Sequence, residues 1–132
     1  MKALIAEDDL TSRLLLSELL EPFGTCHAVV NGKEAIQAFI MACESGTPYD
    51  LICLDIMMPE MDGQAALKVI REIEGSAGIE IGDGAKIIMV TALSDMTNVF
   101  QAYKQFCDDY LAKPIQKDSL LNCLKSLGLL TA

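Results

Sequence analysis

The sequence predicts an α/β fold in which five parallel strands form one sheet and five helices cover both of its faces. Three observations predict it. Short apolar runs alternate with helix-period segments five times along the chain. One of these runs, Leu-Ile-Cys-Leu at 51–54, is apolar without alternation, as in a central parallel strand buried on both faces. Finally, 132 residues, 52% hydrophobic and 22% charged, suit one globular domain that needs no covalent staples.

Taken in order, residues 2–6 (Lys-Ala-Leu-Ile-Ala) make the first strand, stopped by the acidic run Glu7-Asp8-Asp9. A helix follows over 11–22, capped by Asp9 or Thr11, with Leu15 and Leu19 on its apolar face and Pro22 at its end. Gly24 opens a second strand that runs to Val30. Asn31-Gly32 is a turn, and the helix after it turns Ala35, Ile36, Phe39, Ile40 and Cys43 inward. Gly46-Thr47-Pro48 breaks that helix ahead of the third strand, 51–54, which closes on Asp55. A third helix starts near Gly63 and carries Ala66, Leu67, Ile70 and Ile73 inward. Residues 86–90 are the fourth strand, 94–104 the fourth helix and 108–111 a short fifth strand. The last helix, from 117 to 127, shows Leu120, Leu124 and Leu127 at helical spacing. Right-handed crossovers then give a flavodoxin-like doubly wound sheet in the order 2-1-3-4-5. With no repeat, low-complexity tract or linker, residues 1–132 read as a single domain that leaves no room for an output domain.

Several functions are disfavoured at once. A formal charge of −9 without a basic stretch sets the chain against a nucleic-acid backbone, so no nucleic acid is expected as a partner. Its apolar runs are too short to span a bilayer, and Met1-Lys2 leads straight into a strand rather than a signal peptide, so no membrane is expected and the location is cytoplasmic. Five widely spaced cysteines form no Cys-x-x-Cys pair and read as small buried hydrophobes. His27, the one histidine, has no ligand partner at suitable spacing and reads as structural. The glycine-rich stretch 75–85 lacks the Gly-Lys-Ser/Thr of a phosphate-binding loop. It also joins a helix to a strand, away from the carboxyl edge where such sheets bind ligands, and reads as a spacer.

The chemistry-bearing residues all stand just after strands: Glu7 and Asp8 after the first, Asp55 after the third, Thr91 after the fourth and Lys113 after the fifth. In a parallel sheet these ends converge on one crevice. Each residue alone is unremarkable, since an acidic run is commonly a solvated loop or a helix start. Asp55 is harder to dismiss, because a carboxylate closing an apolar central strand seldom serves packing. Three carboxylates brought together raise one another's pKa unless a cation joins them, and oxygen ligands suit Mg²⁺, with Mn²⁺ as a substitute. Asp55 is then a carboxylate nucleophile for a phosphoryl group. Lys113 neutralises the entering charge, the Thr91 hydroxyl donates to a phosphoryl oxygen, and small Ala92 keeps the approach open.

Four segments, Leu-Ile-Ala-Glu-Asp-Asp at 4–9, Leu-Asp-Ile-Met-Met-Pro-Glu-Met-Asp-Gly at 54–63, Val-Thr-Ala at 90–92 and Leu-Ala-Lys-Pro at 111–114, resemble the receiver domains of bacterial two-component systems. The resemblance covers nearly the whole chain. It implies a stand-alone response regulator, not an enzyme in the ordinary sense, phosphorylated on Asp55 by a sensor histidine kinase or a histidine phosphotransfer protein. Asp8 would bind the metal directly, Glu7 nearby through water, and the main-chain carbonyl of Met57 would be the third protein ligand. Lys113, Ala92 and Met58 would contact the phosphoryl group, and the Lys113-Pro114 bond would be cis. Thr91 and Tyr110 would switch a surface made by the fourth helix, fifth strand and last helix, which meets an unknown target protein. Met57 and Leu93 occupy the places from which family members position the attacking water. Neither side chain can do so, which implies a long-lived aspartyl-phosphate.

Three uses stay open at this stage: an effector that docks on a target, a relay intermediate, or a phosphate sink. Two other readings compete. A phosphatase of the haloacid-dehalogenase type also uses an Asp nucleophile and Mg²⁺, but it needs an acid two residues later, where Met57 stands. A scaffold that no longer takes phosphate would not need Glu7, Asp8, Asp55, Thr91 and Lys113 together.

Overall fold

The computed structural model describes residues 1–80, 82–92, 94 and 106–130. Five parallel strands form one sheet in the order β2-β1-β3-β4-β5. They are β1 (Lys2–Ala6), β2 (Thr25–Val29), β3 (Leu51–Asp55), β4 (Lys86–Ala92) and β5 (Asp109–Lys113). The described helices are α1 (Leu10–Leu20), α2 (Gly32–Glu44), α3 (Gly63–Ser76) and a C-terminal helix (Lys117–Ser126). The fourth helix expected at 94–104, residue 94 aside, lies outside the described residues, as does Leu93.

Local chemistry fixes the helix starts. Asp9, Asn31 and Asp62 cap α1, α2 and α3, their side-chain oxygens accepting from the N–H groups of Ser12, Glu34 and Ala65. Pro22 carries the chain out of α1 through a 3-10 turn at Glu21–Phe23, so the helix stops at Leu20 rather than at 22. Gly24 then adopts φ 150°, where an added Cβ would run into the Met1 carbonyl, and β2 starts one residue later than expected.

Two cores flank the sheet. On one face Phe39, Leu67 and Ile70 pack on Leu4, Ile52, Leu54, Ile87 and Met89. On the other, Leu16, Leu20, Leu120 and Leu124 pack on Ile5, Leu51, Cys53, Ile88 and Val90. Every residue of β3 is buried, as its unbroken apolar run requires. Each fully buried Leu or Ile stabilises the fold by about 2 kcal/mol.

At the amino edge one side chain joins three segments. Arg71 of α3 donates to the carbonyls of Phe106 (2.6 Å) and Ala85 (2.9 Å) and to the carboxylates of Glu74 (2.7 Å) and Asp108 (2.9 Å). The Asp108 oxygen also accepts from the Ile87 N–H at 2.8 Å. Residues 77–80 and 82–85 connect α3 to β4 along this edge, and the Ala85 N–H donates to Glu74 at 2.8 Å.

Cys53 and Cys123 are buried as expected and Cys26 and Cys107 are half-buried, whereas Cys43 is exposed because its neighbours Phe39 and Ala42 take the core-facing side of the last turns of α2; all five cysteines are free. His27 is exposed on β2, its Nδ1 2.7 Å from the Tyr49 hydroxyl. Among the described residues, no helix is long and apolar enough to cross a membrane.

Candidate functional site

Parallel strand direction brings the ends of β1, β3, β4 and β5 to one carboxyl edge. The acidic run diverges there, residue by residue. Glu7 is wholly buried, at 0% exposure. Asp8 is exposed, and Asp9, also exposed, is spent as the cap of α1. Glu7 is held by its own N–H, which donates to the Val29 carbonyl at 3.0 Å. Its Oε1 accepts from the Asp9 N–H (3.2 Å) and from Lys113 Nζ (2.9 Å).

Asp55, the last residue of β3, is 3% exposed. Two features seat it. The Ile56 N–H donates to the Val90 carbonyl (3.1 Å), continuing the ladder past the strand end, and the Gly63 N–H donates to the Ile56 carbonyl (3.1 Å). Helix α3 thereby starts so close to β3 that a Cβ on Gly63 would collide with the Asp55 carbonyl. Glycine is required there for close approach, with no need of an unusual φ.

Lys113 bridges the buried acids, with Nζ 2.9 Å from Glu7 and 3.3 Å from Asp55. It is positioned by pairing of β5 with β4, where Ala92 faces Lys113 and Thr91 faces Ala112. The fourth and fifth strands therefore run two residues further than the apolar pattern suggested. The Lys113-Pro114 peptide is cis.

Oxygens of Glu7, Asp8 and Asp55 lie within 4.8 Å of one another. Burial pushes Glu7 up to about 7, against the pull of the Lys113 bond, and the Asp55 charge adds to the rise. Burial raises Asp55 too, with Lys113 opposing. Burial works to lower Lys113, but its bond to Glu7 and the charges of Asp55 and Glu7 outweigh this and hold it above the ordinary lysine range. Glu7 Oε2 is buried without a hydrogen-bond partner among the described residues. Among the described residues, one ammonium thus meets two buried carboxylates with the exposed Asp8 close to both, and one buried carboxylate oxygen is left without a donor. A hard divalent cation with oxygen preference fits that donor set.

The remaining expected residues surround this cluster. Thr91 is buried at the end of β4, and Ala92 beside it is exposed. Met57, in the loop after β3, is 76% exposed, whereas Met58 is half-buried against the core on the α2 and α3 side. Tyr110 pairs with Met89, two residues before Thr91, so Thr91 and Tyr110 share one sheet face without standing opposite each other. Tyr110 is half-buried, and burial together with a hydrogen bond to the Cys107 side chain pushes its hydroxyl above the usual tyrosine range.

Two contributors went unread in the sequence. Gly63 reads only as a helix start. Arg13, one turn into α1, donates from Nη1 to the carbonyls of Glu7 (2.9 Å) and Asp8 (3.3 Å). Its signal is a lone cation one turn beyond an acidic run. Elsewhere, a cavity of about 460 Å³ opens at the amino edge beside Arg71, Ile79, Phe106 and Cys107. Of the carboxylates that line it, Glu74 and Asp108 are paired by Arg71, whereas the cluster of three converging carboxylates lies at the carboxyl edge.

A family model, response regulator receiver domain, matches residues 3–125. Chemotaxis protein CheY of Bacillus subtilis is 30% identical over 125 residues, covering 93% of each chain. CheY of Halobacterium salinarum is 32% identical over 127 residues, covering 96% of this chain and 95% of that one. Hybrid signal transduction histidine kinase B of Dictyostelium discoideum is 36% identical over 126 residues, which are 91% of this chain and 6% of that protein. Among solved structures, the receiver domain of Saccharomyces cerevisiae Ssk1, crystallised with the histidine phosphotransfer protein Ypd1, superposes with a TM-score of 0.80 at 26% identity, covering 97% of this chain and 88% of that one. A CheY-like receiver domain from Methylobacillus flagellatus gives 0.74 at 27% identity, with 96% and 98% covered.

Proposed function

Since this chain belongs to the response regulator receiver domain family of two-component phosphorelay signalling, we propose that it takes a phosphoryl group on Asp55 with Mg²⁺ bound beside it, and thereby switches a protein-binding surface. The observation that carries this reading is the juxtaposition at the end of β3: Asp55 and Glu7 buried side by side, Lys113 bridging them, and Asp8 within 4.8 Å of both.

A carboxylate oxygen of Asp55 attacks phosphorus, the bond from phosphorus to the donor's imidazole nitrogen breaks, and the electron pair leaves on that nitrogen. Glu7, Asp8, Asp55 and the Met57 carbonyl would hold Mg²⁺, which when bound neutralises phosphoryl oxygens. Lys113, already 3.3 Å from Asp55, pairs with another of those oxygens as its bond to Glu7 loosens. Thr91 donates its hydroxyl, and Ala92 and Met58 flank the group through their main chains. Movement of Thr91 leaves room that Tyr110 takes up, which alters the surface built on β5 and the C-terminal helix. The fourth helix expected at 94–104 as part of that surface lies, residue 94 aside, outside the described residues.

The donor is a histidine kinase or a histidine phosphotransfer protein, a reading supported by the yeast receiver crystallised with Ypd1. The chain turns over no substrate of its own and acts as a phosphoacceptor. Its aspartyl-phosphate is long-lived, because the exposed Met57 side chain offers an attacking water nothing to bond.

Intact mass after incubation with acetyl phosphate tests this, comparing wild type with Asp55→Asn. A gain of one phosphoryl group that needs both Mg²⁺ and Asp55 is expected. No gain in folded, Mg²⁺-binding wild type would leave the scaffold reading standing.

A further inference from the structure

The phosphoryl chemistry assigns no role to Arg13, yet this half-buried side chain is bonded into the centre of the acidic loop. A single nitrogen, Nη1, donates to two successive carbonyls, Glu7 at 2.9 Å and Asp8 at 3.3 Å. The Glu7 carbonyl belongs to the peptide plane entering Asp8, and the Asp8 carbonyl to the plane leaving it. A backbone has only two soft dihedrals per residue, so fixing both flanking planes fixes φ and ψ of Asp8 and the direction of its Cβ.

Of the other bonds of the loop, one shares a plane with Asp8: the Asp9 N–H, in the plane leaving it, donates to Glu7 Oε1. Arg13 therefore adds to the hold on this plane and holds the entering plane through the Glu7 carbonyl. Glu7 N–H donates to Val29, Asp9 N–H to Glu7 Oε1, and Ser12 N–H to Asp9 Oδ2. Asp8 itself is exposed, so packing does not hold it either. Resting on the reading of the acidic cluster as a Mg²⁺ site, we propose that Arg13 is a positioning residue for Asp8, holding the peptide planes on both sides of it and thereby setting the Mg²⁺ affinity of the pocket.

Two effects of Arg13 oppose each other, which makes the role measurable. As a positive charge bonded to the acidic loop it repels a second cation, and its removal on that ground alone tightens Mg²⁺ binding. As a positioning group it pre-pays the ordering of Asp8, and its removal weakens binding. The sign of the change decides.

Calorimetric titration of MgCl₂ into wild type, Arg13→Met and Arg13→Lys reads it. Arg13→Met keeps the aliphatic stem without a donor and is expected to bind about tenfold more weakly, the usual scale for loss of a group that orients a ligand. Arg13→Lys keeps the charge without the planar fork and falls between. Equal or tighter binding by Arg13→Met overturns the proposal. If that variant does not fold, Arg13→Lys carries the test: weaker binding supports the role, and wild-type affinity overturns it. In phosphorylation by acetyl phosphate, the half-saturating Mg²⁺ concentration should rise by the same factor while the plateau rate holds. A lowered plateau at unchanged half-saturation would count against it. Wild type that binds no Mg²⁺ would defeat the reading of the pocket and the positioning role together, whereas wild-type binding with an unchanged Met variant defeats only the latter.

Discussion

Glu7→Gln should stabilise the metal-free protein, by an amount that grows with pH. Glu7 titrates in the fold near 7 rather than at its ordinary 4.5, chiefly because burial removes its water. A carboxyl raised in this way favours the fold only while protonated. That contribution is full below pH 4.5 and is lost as pH rises through about 7, the window set by the two values. Above the window the folded chain carries a desolvated carboxylate at a cost of about 3 kcal/mol relative to the neutral form, already net of the attraction of Lys113. Glutamine keeps the shape and an acceptor for Lys113, and its amide can donate where Oε2 has no partner. Urea unfolding in EDTA, followed by far-UV circular dichroism because the chain has three tyrosines and no tryptophan, measures the difference. About 3 kcal/mol in favour of Gln is expected near pH 8, and less than about 1 near pH 5. Saturating Mg²⁺ should erase most of the gap, since the cation stabilises wild type by about 2.7 kcal/mol at a hundred times its dissociation constant. A variant less stable than wild type in EDTA at the higher pH, or a gain that does not change between the two, would refute the account of Glu7 as an uncompensated buried charge.

Other substitutions separate chemistry from folding. Lys113→Met removes the cation that, alone among the described residues, touches both buried acids, so phosphoryl gain from acetyl phosphate should fall below detection by intact mass while the protein remains folded in Mg²⁺. Gly63→Ala places a methyl against the Asp55 carbonyl; a loss of about 1–3 kcal/mol in urea is expected, with slower phosphorylation, as the strand end shifts. Asp9→Ala deletes the cap of α1 and should lower stability by about 1 kcal/mol without abolishing phosphorylation. Met57→Asn gives the loop after β3 a group able to hold water, and the aspartyl-phosphate followed by intact mass should decay faster than in wild type.

The architecture was legible because burial and period coincide. Residues 51–54 had to be central, and every residue of β3 is buried. The acidic crevice of Glu7, Asp8 and Asp55 was legible because strand ends in a parallel sheet converge. What escaped depends on partners distant in sequence. Thr91 and Ala92 look like the start of a loop because Thr91 ends the apolar run, yet pairing with Ala112 and Lys113 keeps both in the sheet. Gly63 gives no local hint that Asp55 lies against it. Glu7, Asp8 and Asp9 read alike as letters, but one is buried, one projects into solvent and one caps a helix. Arg13 went unread because its partners are main-chain carbonyls, which every sequence possesses.

The Arg71 junction gives the two strands that carry Thr91 and Lys113 a root and a tip. Near their amino ends Asp108 takes both the Ile87 N–H and the Arg71 guanidinium, so β4 and β5 are joined there like the tines of a fork. At the far ends Lys113 is tied to Glu7 and Asp55, so root and tip are held by separate ion pairs. Substitution around Arg71 therefore acts on the amino end of the pair and leaves the ion pairs of Lys113 at the other end in place.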